Sequence, residues 1–246
     1  GQSGCQIAED LMLDGREVHL FLGNAPRSPR KYRGRDAVAW LEEMGYYKTT
    51  FAAHPDKHKA LTGTNHYLTG RDGGREIDLR KFAQNGMKLY GYLDAVSADG
   101  FGARSDVKDK LDGADRSYIG IRQRIDEYIE SAGINAPTEP EYVPCWEPET
   151  DLTELNFKES NITSIIWCIG FRPNFSYVKL DVFNNRGFPV HDRGVTEVPG
   201  LFFVGLPWQH TWGSARFSGI AEDSKFIADK IEESIRTVPE TEYFFV

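Results

Sequence analysis

Gly1-Gln2-Ser3-Gly4-Cys5-Gln6-Ile7-Ala8 opens the chain, and its reading decides the fold. Two glycines three positions apart run straight into apolar residues at helical spacing. That is the pattern of a glycine-rich phosphate loop entering a helix. Gly1 and Gly4 fall where the second and third glycines of G-x-G-x-x-G stand. The first glycine and its leading strand are expected upstream of Gly1. A residue without Cβ lets backbone N–H groups approach a pyrophosphate, and a helix N-terminus favours negative charge. A Gly-Ser start also occurs in ordinary turns, so the neighbouring residues carry the argument further.

Outward from this start, Ile7, Ala8 and Leu11 keep the helical period, and Gly15 suits the position just past a helix end. Val18 to Leu22 then reads as a short buried strand. Loop, helix, glycine stop and strand form the second part of a βαβ unit. Folds that select NAD place an acid at the end of that strand to hold the ribose 2′-hydroxyl. Here Gly23-Asn24 follows, and then Arg27, Arg30, Lys31, Arg33 and Arg35. Arginine forks match phosphate, so this cluster reads either as a seat for the 2′-phosphate of NADPH or as a solvated basic loop.

Composition narrows the function classes. A chain of 246 residues with 40% apolar content suffices for one large or two modest domains. A net charge of -8 argues against nucleic acid or an anionic membrane surface as partner. With no long apolar run, the expectation is a cytoplasmic protein acting on a small molecule. Cys5, Cys145 and Cys168 form no C-x-x-C pair, which removes support for a disulfide-reductase centre. His54 and His58 share i,i+4 spacing, but Pro55 breaks a helix there, and surface histidines are the better reading.

Further along, Asp36 to Met44 reads as a helix stopped at Gly45, with Val38, Trp40 and Leu41 inward. Asn65 to Thr69 reads as a strand, Arg71 to Gly74 as a turn, Asp78 to Gln84 as a helix, and Met87 to Leu93 as a strand. Tyr118, Ile121, Ile125, Tyr128 and Ile129 form one helical face ending at Gly133. Ile134 to Thr150 reads as a connection. Ile162 to Ile169 is expected to be a buried strand, Asn184 to Gly187 a hairpin turn, and Leu201 to Gly205 another apolar strand. After a loop bearing Trp208, His210 and Trp212, a helix is expected to open at Gly213-Ser214-Ala215, with Ile220, Ile227 and Ile231 on one face.

The start G-Q-S-G-C-Q-I-A-E-D-L, the stretch I-I-W-C-I-G-F-R-P-N and the stretch V-P-G-L-F-F-V-G-L-P-W-Q-H-T-W-G-S-A-R-F-S-G-I occur in this order. Together they resemble the flavin-containing monooxygenase-like group of flavoproteins with two dinucleotide domains, and within it a bacterial subgroup of flavin-dependent oxidoreductases. The resemblance implies an α/β fold. Residues 1–171 would be most of a Rossmann-like three-layer NADPH-binding domain, and residues 172–246 the C-terminal part of an FAD-binding domain. It also implies an upstream segment of the same protein carrying the FAD glycine motif.

By that resemblance Gly1, Gln2, Ser3 and Gly4 would meet the NADPH pyrophosphate, and Arg27, Arg30 and Lys31 its 2′-phosphate. Gly170, Gly205, Leu206, Ser214, Ala215 and Gly219 would lie at cofactor-binding positions, the helix start at Ser214 and Ala215 facing FAD. Hydride would pass from NADPH to FAD, and the reduced flavin would use oxygen to oxygenate a soft nucleophile or a carbonyl. Two departures stand out. Cys168-Ile169-Gly170 replaces the frequent Ala-Thr-Gly, and Gly205-Leu206 replaces the Gly-Asp of disulfide reductases. Two other function classes remain: a non-catalytic NADPH-binding module or inactive remnant, and a hydrolase suggested by Gly1-x-Ser3-Gly4. The hydrolase pattern G-x-S-x-G fails at Cys5.

Overall fold

The computed structural model describes residues 1–237. Helices alternate with small sheets in an α/β arrangement, and the chain divides into two compact units. One comprises Gly1–Trp40 with Thr64–Gly170, the other Leu41–Gly63 with the residues from Phe171 on.

In the first unit, α1 (Gln2–Leu13) follows Gly1 directly. It ends in a Schellman turn at Gly15, whose φ of 77° suits a residue without Cβ. The Gly15 N–H donates to Met12 O and the Arg16 N–H to Leu11 O, both at 3.0 Å. This turn delivers the chain into β1 (His19–Phe21). Two short strands, β2 (Lys31–Tyr32) and β3 (Arg35–Asp36), pair antiparallel across Arg33 and Gly34. α2 (Ala37–Glu43), which passes from the first unit to the second at Leu41, stops before Gly45, as its sequence predicts, with Trp40 and Leu41 buried but Val38 exposed. α3 (Lys57–Thr62) belongs to the second unit and is capped by Asp56.

Back in the first unit, α4 (Leu79–Gln84) is capped by the Asp78 carboxylate, which accepts the Arg80 N–H at 3.0 Å. β4 (Lys88–Tyr90) lies parallel to β1 in the register His19–Lys88, Leu20–Leu89, Phe21–Tyr90. β5 (Leu93–Val96), β6 (Gly100–Ala103) and β7 (Glu154–Asn156) form a separate antiparallel sheet in that order. The strand expected over Met87–Leu93 is thus divided. At Gly91 the backbone runs against the Arg104 carbonyl, where a Cβ has no room. Between β6 and β7 comes the long α5 (Val107–Ser131). Its Tyr118, Ile121, Ile125 and Ile129 are buried, as the stripe predicts, with Tyr128 half-buried. Ala8, Val18, Leu22, Phe82, Leu89, Leu111 and Ala114 make the core where α1, β1, α4, β4 and α5 meet.

Three expected strands do not form. Asn65–Thr69 contributes a single bridge, Tyr67 to Arg27. Leu201–Gly205 contributes a single bridge, Phe202 to Val195. Ile162–Ile169 has no ladder among the described residues, and Ile166, Trp167 and Ile169 are 54%, 54% and 83% exposed. Apolar content marks a segment fit for a strand, but a strand exists only where a neighbouring edge supplies hydrogen bonds.

The second unit is built mainly from loops. Phe175, Phe183 and Phe203 cluster through their rings, and Val182 and Ile227 are buried. The turn at Asn184 forms as expected: Gly187 has φ 74°, and its N–H donates to Asn184 O at 2.8 Å. The last helix, α6 (Ile220–Thr237), starts seven residues after Gly213, later than the sequence suggests.

Candidate functional site

At the N-terminus of α1, Gly1 occupies the cap position and provides no side-chain hydrogen bond to the helix. The first turn therefore keeps backbone donors for another acceptor, with the positive end of the helix dipole behind them. Ser3 is exposed at this turn, and Gly4 is buried. The Gln2 and Gln6 amides both turn away to donate to Leu68 O, at 3.3 and 2.5 Å. A Cβ on Gly4 would stand 3.1 Å from Cys168 Cβ, so this glycine permits close approach between α1 and the stretch around Cys168. Beside the same turn lies a cavity of about 780 Å³ lined by α1, β1 and residues 160–169. Burial pushes the Cys5 thiol up to about 11, against the pull of the nearby α-amino group, so Cys5 is an unreactive member of the core.

The basic cluster after β1 separates into different environments. Arg27 is 2% exposed. Its Nη2 meets Glu76 and Asp78, and its Nη1 meets Asp115, all at 3.0 Å. The guanidinium also lies over the Tyr118 and Tyr142 rings, at 4.2 and 4.9 Å. Burial opposes its charge, but Asp78, Tyr142 and Glu76 more than offset that, and the pKa is raised. Both Nη groups are therefore committed inside the unit, to three carboxylates, at the residue expected beside a 2′-phosphate.

Asp115 also accepts from Arg80 Nε at 2.7 Å, and Arg80 reaches Asp112 at 2.5 Å and Trp146 O at 2.9 Å. This chain of charges ties α4 and α5 to the connection over residues 134–150, a role the sequence did not disclose. Arg30 is half-buried and pairs with Asp36 at 2.7 Å. Arg33 pairs with Asp126 at 3.1 Å, and Arg35 lies over Trp40 at 4.0 Å. Lys31 is exposed in β2, and among the described residues its ammonium makes no ion pair. Asn24, just past β1, accepts from Lys110 Nζ at 2.7 Å.

In the second unit, Ser214 does not begin a helix. It is fully buried, and its Oγ accepts the His210 and Thr211 N–H groups at 2.9 Å each. Those bonds shape a turn that persists through Gly219, so Ala215 lies in a turn and the helix end stands at Ile220. A Cβ on Gly219 would stand 2.5 Å from Gly213 C, so the close approach this glycine allows is to its own backbone. Gly205 has φ 87°, and the Leu206 N–H donates to Gln209 Oε1 at 3.2 Å. Gly170, with φ 85°, is exposed at the end of the first unit. The aromatic loop packs within its own unit. Trp212 stacks on Tyr47 at 4.5 Å, Trp208 meets His54 at 5.0 Å, and Arg216 lies 3.7 Å over Trp212. Among the described residues no group of three His, Cys, Asp or Glu could hold a metal, and no helix is long and apolar enough to cross a membrane.

Three curated bacterial proteins are similar to part of the chain. An uncharacterized CzcO-like oxidoreductase of Geobacillus kaustophilus (strain HTA426) is 41% identical over 71 residues, 28% of this chain and 20% of that protein. The uncharacterized oxidoreductases CzcO of Bacillus velezensis and of Bacillus subtilis (strain 168) are each 39% identical over 82 residues, 32% of this chain and 24% of theirs. The match thus spans a fifth to a quarter of the length of these relatives. No family model matches the chain, and no solved structure does.

Proposed function

We propose that this chain is the pyridine-nucleotide part, with some of the flavin part, of an oxidoreductase that draws reducing equivalents from NADPH through FAD. The reading is that of a monooxygenase acting on a small organic substrate. The single observation that carries it is similarity, at 39–41% identity, to proteins named oxidoreductases. The uncapped, glycine-led start of α1 fits the nucleotide's phosphates: backbone donors converge there, and exposed Ser3 leaves them accessible. With Arg27 committed internally, Lys31 becomes the main candidate for the 2′-phosphate. Arg30 can join only by sharing itself with Asp36.

When bound, the cofactors supply hydride transfer and oxygen chemistry; the chain's own residues bind and orient them. At α1 the contribution is electrostatic, a fixed set of N–H dipoles facing a pyrophosphate. At Lys31 it is a single mobile cation, which distinguishes NADPH from NADH by charge more than by shape.

The test is a titration of the chain with NADPH and with NADH, followed by nucleotide fluorescence. NADPH should bind about tenfold more tightly, or about 1.4 kcal/mol, a typical contribution of one charge-assisted contact. Lys31→Ala should remove most of that difference. Equal binding of the two nucleotides by the unaltered chain would remove the role given to Lys31 and Arg30. No binding of either would remove the nucleotide reading.

A further inference from the structure

His19 and Phe21 stand two residues apart in β1, so their side chains leave the strand on one side. Tyr90 of β4 is the register partner of Phe21, and its ring stacks on the Phe21 ring at 4.6 Å with the planes 11° apart. This placement brings the Tyr90 hydroxyl to 2.9 Å from His19 Nδ1. Glu17, two residues before His19, brings its Oε1 to 3.3 Å from His19 Nε2. Tyr90 and the His19 side chain are buried, whereas the Glu17 side chain is 65% exposed. A phenol, an imidazole and a carboxylate thus stand in series from the core to water.

Burial, reinforced by Glu17, raises the Tyr90 pKa, so the phenol keeps its proton and donates the hydrogen bond to Nδ1. The proton of the imidazole then sits on Nε2. That nitrogen is buried, and its contact with Glu17 lacks the geometry of a hydrogen bond. The resting site is therefore under-satisfied at one atom. A second proton on the ring changes this, because the Nε2–H of an imidazolium beside a carboxylate makes a charge-assisted contact. The arrangement favours a state in which the Tyr90 proton has passed to His19. A phenol gives its proton to imidazole readily once it has lost an electron.

Rings in contact lead from this phenol to the surface. Phe21 meets Phe101 edge-on at 5.6 Å, and Phe101 meets Trp167 at 5.6 Å. Trp167 is exposed, so its indole is the member of this row that an oxidant in solution reaches. Phenylalanine rings are too hard to oxidise to hold the charge, and here they are the medium between indole and phenol.

We propose that Tyr90 is a redox-active tyrosine, with His19 as its proton acceptor, Glu17 behind His19, and Trp167 as the point where oxidising equivalents enter. The oxidant is a one-electron acceptor of the oxygen-radical class. A peroxyl radical takes the hydrogen atom of the Trp167 indole N–H, becomes a hydroperoxide and leaves a neutral indolyl radical. One electron then passes from Tyr90 to Trp167. The Tyr90 O–H bond breaks, its proton moves to His19 Nδ1, and the Trp167 nitrogen takes a proton from the solvent. The products are an intact indole, a neutral tyrosyl radical and an imidazolium facing Glu17. The radical is thereby moved from an exposed ring to a buried one. This assignment does not depend on the NADPH and FAD reading, and its test uses neither cofactor.

The experiment oxidises the chain with azide radicals made by pulse radiolysis, which attack indoles before phenols, and follows the indolyl and phenoxyl absorptions. The unaltered chain should show a phase converting indolyl to phenoxyl radical at a rate independent of protein concentration and slower in heavy water. Tyr90→Phe keeps the ring stack and Trp167→Phe keeps the ring row, and each should remove that phase. His19→Gln still accepts the hydrogen bond but cannot hold the proton, and should slow the phase about a hundredfold. Glu17→Gln alters only an exposed side chain, and should slow it about threefold, the size of one surface charge contact.

A phase that survives Tyr90→Phe or Trp167→Phe overturns the proposal, as does equal speed in ordinary and heavy water. A rate unchanged by either His19→Gln or Glu17→Gln overturns it too, and the Glu17 variant decides the matter should the His19 variant fail to fold. Indolyl radicals that decay only by pairing between chains also overturn it.

Discussion

Replacing Arg27 by Met tests whether the basic cluster is read correctly. Arg27 is buried and holds three carboxylates, each at 3.0 Å, while its face covers two tyrosine rings. Removing one partner of a buried ion pair typically costs about 3–5 kcal/mol, because the carboxylates left behind are desolvated without compensation. Here the three do not count equally. Glu76 retains a third of its side-chain exposure and still accepts from Tyr118 OH at 3.1 Å, so water can take over part of its charge. Asp115 keeps Arg80 at 2.7 Å. Asp78 is 15% exposed, with its second oxygen capping α4, and bears most of the penalty.

The expected loss is therefore at the lower end, about 3 kcal/mol, or about 6–12 °C in Tm for a chain of this size. Circular dichroism during heating and in urea measures it. Arg27→Lys keeps the charge but reaches fewer carboxylates, and should fall in between, with the NADPH-to-NADH binding ratio unchanged. A drop below about 2 °C for Arg27→Met would refute the structural role. A lost nucleotide preference in Arg27→Lys at unchanged Tm would return Arg27 to the 2′-phosphate.

Ser3→Asp puts a negative charge in the first turn of α1, which should raise Tm by about 1–3 °C while weakening NADPH at least tenfold, since carboxylate and pyrophosphate compete for one helix end; calorimetry and a melt on the same sample check both, and unchanged binding would sink the phosphate role. His191 Nδ1 accepts the Gly194 N–H at 3.1 Å, and burial holds its pKa below the usual value despite Asp192. The unfolded chain therefore binds a proton there more readily, and stability should be full above about pH 6.5 and fall as pH drops from there toward the lowered folded value; His191→Gln should flatten that slope in melts from pH 7.5 to 5. Thiol titration of the native chain should show Cys145 reacting first, Cys168 more slowly, and Cys5, pushed up to about 11 and buried, only on unfolding. Gly219→Ala should destabilise by about 2–4 kcal/mol in urea unfolding, because its Cβ meets backbone that cannot rotate away.

What could be read from the sequence follows the range of the interactions involved. The helix stops at Gly15, Gly45, Gly86 and Gly133 were legible because a left-handed φ and a few carbonyl bonds lie within six residues of one another. The α5 stripe was legible for the same reason: its period is local, and one face of a long helix must be covered. Arg27 was not. Its carboxylate partners stand 49, 51 and 88 positions away, and nothing near residue 27 announces them. Arginine beside phosphate and arginine beside three carboxylates look alike in sequence, since both need the same fork.

Ser214 shows the same ambiguity on a shorter scale. A serine after glycine suits a helix cap, but it also suits a turn in which the hydroxyl accepts two preceding N–H groups, and here the second arrangement wins. The choice moves the start of α6 to Ile220 and moves the positive end of that helix dipole with it. A flavin reading that depends on a positive helix end must therefore look to the backbone N–H groups of residues 220–223. Two acids, Glu222 and Asp223, stand in that first turn, and Asp223 is buried against Arg193 at 3.4 Å. The dipole is thus already partly answered by the chain's own carboxylates, which leaves α1, with an uncapped first turn and no acid in it, as the stronger anion-facing helix end of the two.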